Sequence, residues 1–128
     1  MNIEYRNGLI FTTIEIMFRG KSILIDNIVV DTGACETIIS PDVVEDIGII
    51  VELNDKVNSF YGVGGSLHNF FSKVVDEIKF GNRSINTTKV DFGVIDPEGA
   101  INGLLGLDFL MELGALIDLK NLEMKIEK

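Results

Sequence analysis

The chain reads as short apolar runs broken by turn residues. Isoleucine, valine, phenylalanine and threonine dominate the runs, and a turn signal falls about every ten residues, the spacing of an all-β barrel or sandwich. Residues 3–5 and 9–18 flank Asn7-Gly8, the strongest short hairpin signal. Arg19-Gly20-Lys21 turns the chain again, and 22–30 forms a strand that delivers Asp31. Strands are predicted over 49–53, 57–61 and 69–80, with Gly81-Asn82 as a turn and 84–91 and 92–95 as core strands. Asp96-Pro97-Glu98-Gly99 is a loop, because Pro97 disfavours helix at Asp96. Residues 115–118 and 122–126 pair around Lys120-Asn121.

Two stretches change period. Ser40 reads as a cap, Pro41 as a first helical residue and Asp42 as a first-turn acid, with Val43, Val44 and Ile47 as the apolar face. Gly48 is the stop, so a short helix is predicted over 41–47. A second is predicted over 107–113, with Asp108 near its start and Gly114 at its end. No internal repeat and no linker interrupts the chain. Its 128 residues suit one domain, 1–128; a domain of that size buries roughly two-thirds of its unfolded surface.

Composition narrows the function. At 46% hydrophobic the chain is not disordered. No apolar run approaches the roughly 18 residues that a membrane span needs. The opening residues Met1-Asn2-Ile3-Glu4-Tyr5-Arg6 lack the basic and apolar regions of a secretory signal. A lone cysteine, Cys35, makes no internal disulfide and fits a reducing compartment such as the cytoplasm. In that setting Asn82-Arg83-Ser84 and Asn86-Thr87-Thr88 read as turn residues rather than glycosylation sites. A net charge of −9 argues against a nucleic-acid partner and mildly favours neutral or basic substrates. No Cys/His cluster has metal-ligand spacing, so neither a metal nor another cofactor is expected. His68 reads as a surface histidine.

The chemistry concentrates in Ile28-Val29-Val30-Asp31-Thr32-Gly33-Ala34-Cys35-Glu36-Thr37-Ile38-Ile39. An apolar run carries an acid to its end, and a glycine turns the chain into a second apolar run. A carboxylate at the end of a buried strand is costly unless it is hydrogen-bonded. Gly33 has no side chain to keep its backbone N–H from that carboxylate, and Thr32 adds a hydroxyl. Asp, Thr and Gly are also ordinary turn residues. Two further features accompany them: a glycine-rich tip, Tyr61-Gly62-Val63-Gly64-Gly65-Ser66, and Gly103-Leu104-Leu105-Gly106-Leu107-Asp108-Phe109-Leu110.

With these three in order, the chain resembles the retropepsin-like aspartic proteases, single-domain relatives of pepsin, over nearly its whole length. Val29-Val30-Asp31-Thr32-Gly33-Ala34 fits the family's catalytic motif. Gly62, Gly64 and Gly65 fit its flap glycines. Leu104-Leu105-Gly106 and the helix after them fit its second signature. The resemblance implies a closed β-barrel or sandwich with a flap hairpin and one or two short helices, working as a homodimer. It implies that Asp31 is the catalytic acid, within an active-site loop of Thr32, Gly33 and Ala34. Tyr61, Gly62, Val63, Gly64 and Gly65 would then cover an extended peptide, and Leu104, Leu105 and Gly106 would support the loop. The glycines of the tip also serve a plain tight hairpin; a phosphate loop would need a Gly-Lys-Ser/Thr ending that is absent.

Acid-pair hydrolysis needs two carboxyl groups, and this chain holds a single Asp-Thr-Gly. The second carboxylate is therefore expected from Asp31 of another copy, since a two-fold dimer sets identical residues against each other at its axis. In the family both chain ends interleave in a sheet, which here involves residues 1–5 and 122–128, and Thr32 braces across the axis. Ala34 cannot donate to Asp31 as a serine or threonine would, so the pair keeps its shared proton to higher pH, and activity is expected at mildly acidic to neutral pH. Viral members often pair an acid two residues after the motif glycine with an arginine after the second-signature glycine. Cys35 and Leu107 stand there instead, and Glu36 either takes over part of that role or is simply solvated. Cys35 is expected to be a partly buried thiol, inert or redox-sensitive. The alternatives are a non-catalytic peptide-binding or dimerisation module with the same fold, and a regulatory protease dedicated to one partner protein.

Overall fold

Turn chemistry makes the first hairpins. In the computed structural model, which describes residues 1–61 and 67–126 and, for 60 and 61, only their backbone, β1 (Glu4–Arg6) joins β2 (Leu9–Phe18) through Asn7 at φ 52° and Gly8 at φ 83°. β2 joins β3 (Lys21–Val30) through Arg19 at φ 49° and Gly20 at φ 82°. Two successive positive φ values are those of the type I′ turn, whose twist matches that of paired strands. The remaining elements are β4 (Ile38–Ile39), β5 (Val57–Tyr61), β6 (Leu67–Phe80), β7 (Arg83–Gly93), β8 (Gly103–Leu105), α1 (Leu107–Glu112), β9 (Leu116–Asp118) and β10 (Glu123–Lys125).

Eight strands form one sheet in the order β1-β2-β3-β8-β4-β7-β6-β5, and a further pairing of β2 with β6 closes it into a barrel. β8 lies parallel to β3 and antiparallel to β4, and β4 lies parallel to β7. The segment after β3 thus returns beside the segment before α1, which holds the loop 31–37 between them. Inside, Ile14, Ile16, Ile28, Phe80, Phe92 and Leu105 are almost wholly buried. The alternation of buried and exposed positions along β2 and β6 is that of strands with one face on a core. Among the described residues no helix is long and apolar enough to cross a membrane.

Three predicted elements differ. Residues 41–47 form not one helix but two 3₁₀ turns, Pro41–Val43 and Glu45–Ile47, with no side-chain cap from Ser40. The consecutive valines are poor helix formers, and Val44, wholly buried, sits at ψ 0° between the turns. Gly48 stops the segment at φ 87°, as expected. Residues 49–53 form no strand. Ile49 is buried, but Ile50, Val51 and Leu53 are exposed, and a turn forms where Glu52 N–H donates to Asp55 Oδ2 (2.7 Å) and Asp55 N–H donates to the Glu52 carbonyl (3.0 Å). Residues 84–91 and 92–95 belong to one strand, β7, which ends at Gly93.

The chain ends meet within the protomer. The Met1 amino group donates to the Met124 carbonyl (2.9 Å), Met124 N–H to the Met1 carbonyl (2.8 Å) and Ile3 N–H to the Leu122 carbonyl (3.3 Å). Asn2 faces Glu123 in an antiparallel bridge. The expected exchange of these ends with a second chain therefore competes with bonds they already make; residues 127 and 128 lie outside the described residues.

Candidate functional site

β3 ends at Val30, and Asp31 begins a tight turn in which Ala34 N–H donates to the Asp31 carbonyl (3.2 Å). Asp31 N–H donates to the Leu105 carbonyl (2.9 Å), so the acid is fixed to the end of β8. Gly33 N–H donates to Asp31 Oδ1 at 2.9 Å. The sequence argument for Gly33 holds: a Cβ there would lie 3.2 Å from that same oxygen. Asp31 is half-buried in the single chain, rather than fully buried, and Thr32 and Gly33 beside it are exposed.

The loop is braced from behind by residues that sequence reasoning passed over. Thr37, 2% exposed, is tied to Asp108 at the start of α1. Its N–H lies 3.1 and 3.0 Å from the two carboxylate oxygens, and its hydroxyl donates to Oδ1 at 2.7 Å. The same hydroxyl accepts from the buried Gly106 N–H (2.9 Å). Leu107 N–H donates to the Ala34 carbonyl (2.8 Å) and Asp108 N–H to the Cys35 carbonyl (3.1 Å). Gly106 has no room for a side chain: a Cβ would lie 2.7–2.9 Å from backbone atoms of Glu36 and Ala34. The segments that carry Cys35 and Leu107, which stand where viral members pair an acid with an arginine, are thus joined by backbone bonds and by the Thr37–Asp108 contact. An acid in the first turn of a helix was the available signal for Asp108. Nothing local marked Thr37.

Leu105 is fully buried behind the loop, whereas Leu104 is half-buried and lines a concavity beside it. That concavity, of about 520 Å³, is walled by Gly33, Ala34, Ile38, Phe70, Ile95 and Leu104, with Glu36 and Asp91 as its carboxylates. Asp91 is buried and accepts from Ser72 Oγ (2.6 Å), and Lys89 Nζ lies 3.9 Å from it. A hydrogen bond to Asp91, and then repulsion from its charge, hold the Glu36 carboxyl above its ordinary value. Glu36 is exposed yet engaged, between the two roles considered for it. Cys35 is exposed, not partly buried as expected.

The hairpin β5–β6 is in register with Tyr61 opposite Leu67. Its expected glycine tip, Gly62, Val63, Gly64 and Gly65, lies outside the described residues, as does the side chain of Tyr61. At the hairpin's base Lys73, 7% exposed, binds Glu52 Oε1 (2.5 Å) and Asp55 Oδ2 (2.6 Å), pinning the turn before β5 onto β6. His68 is half-buried on β6, beside an apolar groove.

Comparison with known proteins places this geometry. No curated protein sequence matches the chain. Among solved structures, a retropepsin-like aspartic protease from Rickettsia conorii superposes with a TM-score of 0.67 at 19% identity, covering 96% of this chain and 86% of that one. The retroviral protease-like domain of Ddi1 from Leishmania major gives 0.64 at 18%, covering 94% and 89%. EIAV protease complexed with the inhibitor HBY-793 gives 0.62 at 23%, covering 91% and 99%. At such identities these likenesses establish the fold, a retropepsin-like one. The family described as "gag-polyprotein putative aspartyl protease" matches residues 14–112, most of the chain and all of the loop and its brace. The chain belongs to that aspartyl protease family.

Proposed function

We propose that the protein is an aspartic endopeptidase that works as a homodimer, with residues 1–128 as one catalytic unit and Asp31 supplied by each copy. The observation that carries this reading is the setting of Asp31. Gly33 N–H fixes one carboxylate oxygen, and among the described residues no donor of the same chain reaches the other. A rigid brace stands behind an acid that remains half-exposed. Two such carboxyls at a two-fold axis cannot both ionise, and so would share one proton, as aspartic-protease pairs are known to do.

One carboxylate takes a proton from water as that water attacks the scissile carbonyl. The protonated partner donates a hydrogen bond to the developing oxyanion, and a proton is then delivered to the leaving amine. Thr32, exposed beside Asp31, would brace the two loops across the axis, the role the family resemblance implies for it. Backbone pairing with the β5–β6 hairpin would hold an extended peptide, with Tyr61, Gly62, Val63, Gly64 and Gly65 in the covering role the family resemblance implies. The concavity lined by Ile38, Phe70, Ile95 and Leu104 favours an apolar side chain next to the scissile bond. With Ala34 unable to donate to Asp31, activity is expected at mildly acidic to neutral pH. A lone cysteine, exposed on the loop, fits a reducing cytoplasm.

The test is cleavage of a mixed peptide library by the wild type and by Asp31→Asn, with sedimentation to report the dimer. Loss of cleavage in the variant, with the dimer retained, is expected. Cleavage that survives Asp31→Asn would reject the mechanism, and a dimer without cleavage from about pH 3 to 8 would point to a binding module with the same fold.

A further inference from the structure

We propose that the concavity beside the Asp31 loop receives a basic side chain of the peptide, lysine or arginine, and that Glu36 and Asp91 bind its charged end. This rests on the peptidase reading above and names the side chain that the same site selects. Strand pairing brings the parts together. β4 beside β7 sets Ile38 opposite Asp91, and β6 beside β7 sets Ser72 opposite the same residue. Glu36 stands two positions before Ile38. Gly33 and Ala34, from the loop of the candidate acid, line the same concavity. A side chain that fills it therefore belongs to a residue close to the bond presented to Asp31.

The two carboxyls lack a close cation. Asp91 is 5% exposed and lines the concavity. Ser72 Oγ donates to its Oδ1, and among the described residues nothing but the Glu36 carboxyl offers a proton to Oδ2. Lys89 Nζ lies 3.9 Å from Oδ1, too far for a hydrogen bond, on a side chain that is 62% exposed. Among the described residues no lysine or arginine forms an ion pair with Glu36. Elsewhere a buried charge is matched at close range: Lys73 has both Glu52 and Asp55 in contact. With one proton between them, Glu36 and Asp91 still carry one negative charge, which a counter-ion from the peptide would stabilise. The walls agree. Ile38, Phe70, Ile95 and Leu104 suit an aliphatic residue, and equally the methylene stem of lysine or arginine. An aliphatic residue would set carbon against the carboxyls, at a desolvation cost that a basic one avoids. The net charge of −9 also draws in a cationic peptide.

The test is binding of short, capped alanine peptides that carry one lysine, or one norleucine, at each position in turn. Norleucine keeps the stem and lacks the charge. The Asp31→Asn protein is used, so that nothing is cut, and affinities are read by calorimetry. At one position lysine is expected to bind at least about tenfold tighter than norleucine. Adding Glu36→Gln/Asp91→Asn should abolish that preference and leave norleucine binding nearly unchanged. Glu36→Gln alone, at an exposed position that folding tolerates, should lower it several-fold. Glu45→Gln/Glu112→Gln removes the same charge from exposed sites outside the concavity and should leave the preference intact, which separates contact from the general attraction of an acidic protein. No lysine preference at any position, a preference untouched by Glu36→Gln, an equal fall in the Glu45/Glu112 variant, or binding of neither peptide overturns the proposal. Cleavage by the wild type is read separately. Cleavage without a basic preference rejects this inference alone, and a lysine preference in binding without cleavage rejects the peptidase reading alone.

Discussion

Replacing Thr37 by valine keeps the shape of the side chain and removes one oxygen. That oxygen donates to Asp108 at 2.7 Å and accepts from Gly106 N–H at 2.9 Å. A bond to a charged acceptor contributes roughly 1.5–3 kcal/mol, and a buried N–H left without a partner costs roughly 1–3 kcal/mol. The two are not independent, since both act through one atom, so a loss of about 3 kcal/mol is expected. For a chain of this size that lowers the thermal midpoint by about 10 °C. Thr37→Ser keeps the hydroxyl and should cost about 1 kcal/mol for the missing methyl group. Unfolding should be followed at several protein concentrations, because dimerisation raises apparent stability by mass action. If the loop is the catalytic one, kcat should fall about 10- to 100-fold through displacement of Asp31, with KM nearly unchanged. A valine variant as stable as the serine variant, with equal kcat, would refute the claim that Thr37 positions the loop.

Three other outcomes follow from the same geometry. Gly33→Ala places a methyl group 3.2 Å from Asp31 Oδ1; stability should change by less than about 1 kcal/mol while peptide cleavage falls about tenfold or more, measured as kcat. Glu36 is held above its ordinary 4.5 by its hydrogen bond to Asp91 and by that group's charge, so its protonated form is favoured by folding. Its contribution is full below the unfolded value and is lost as pH rises through the folded one; urea midpoints from about pH 4 to 7 should show this decline, and Asp91→Asn should flatten it. Lys73 holds both Glu52 and Asp55 below their ordinary values by hydrogen bonds and by charge, so their stabilisation is present above those values and is lost as pH falls. Lys73→Met should abolish that acid-side loss and speed amide exchange at residues 52–55, and unchanged exchange there would show that the clamp is idle.

What could be read from the sequence was local. Asn7-Gly8 and Arg19-Gly20 set their turns by their own backbone preferences, and the Gly33 N–H meets a carboxylate only two residues away. What could not be read depends on closure of the barrel. Thr37 and Asp108 stand 71 positions apart and meet only because β8 lies between β3 and β4. Asp91 reaches Glu36 only through the pairing of β4 with β7. Lys73 left a signal that went unused: it alternates in register with Phe71 and Val75, so a lysine was due on the inward face and needed acids close by. Residues 49–53 misled in the other direction. Their apolar character suits a strand, but among the described residues they pair with no strand, and Ile50, Val51 and Leu53 stay exposed while Ile49 alone is buried.

The arrangement divides the work between one chain and two. A surface aspartate that merely closed a turn would need Gly33 and little else. Here the loop is tied at Asp31 to β8, at Ala34 and Cys35 to α1, and at Thr37 to Asp108. Gly106 is denied even a methyl group so that the two segments can touch. Such bonds fix the loop at both of its ends, the kind of support that a site needing close placement of one carboxylate requires. Yet Thr32 and Gly33 are exposed, and among the described residues no donor reaches the second Asp31 oxygen. The brace is therefore built within the protomer, and it holds the Asp31 loop whether or not a second copy is present.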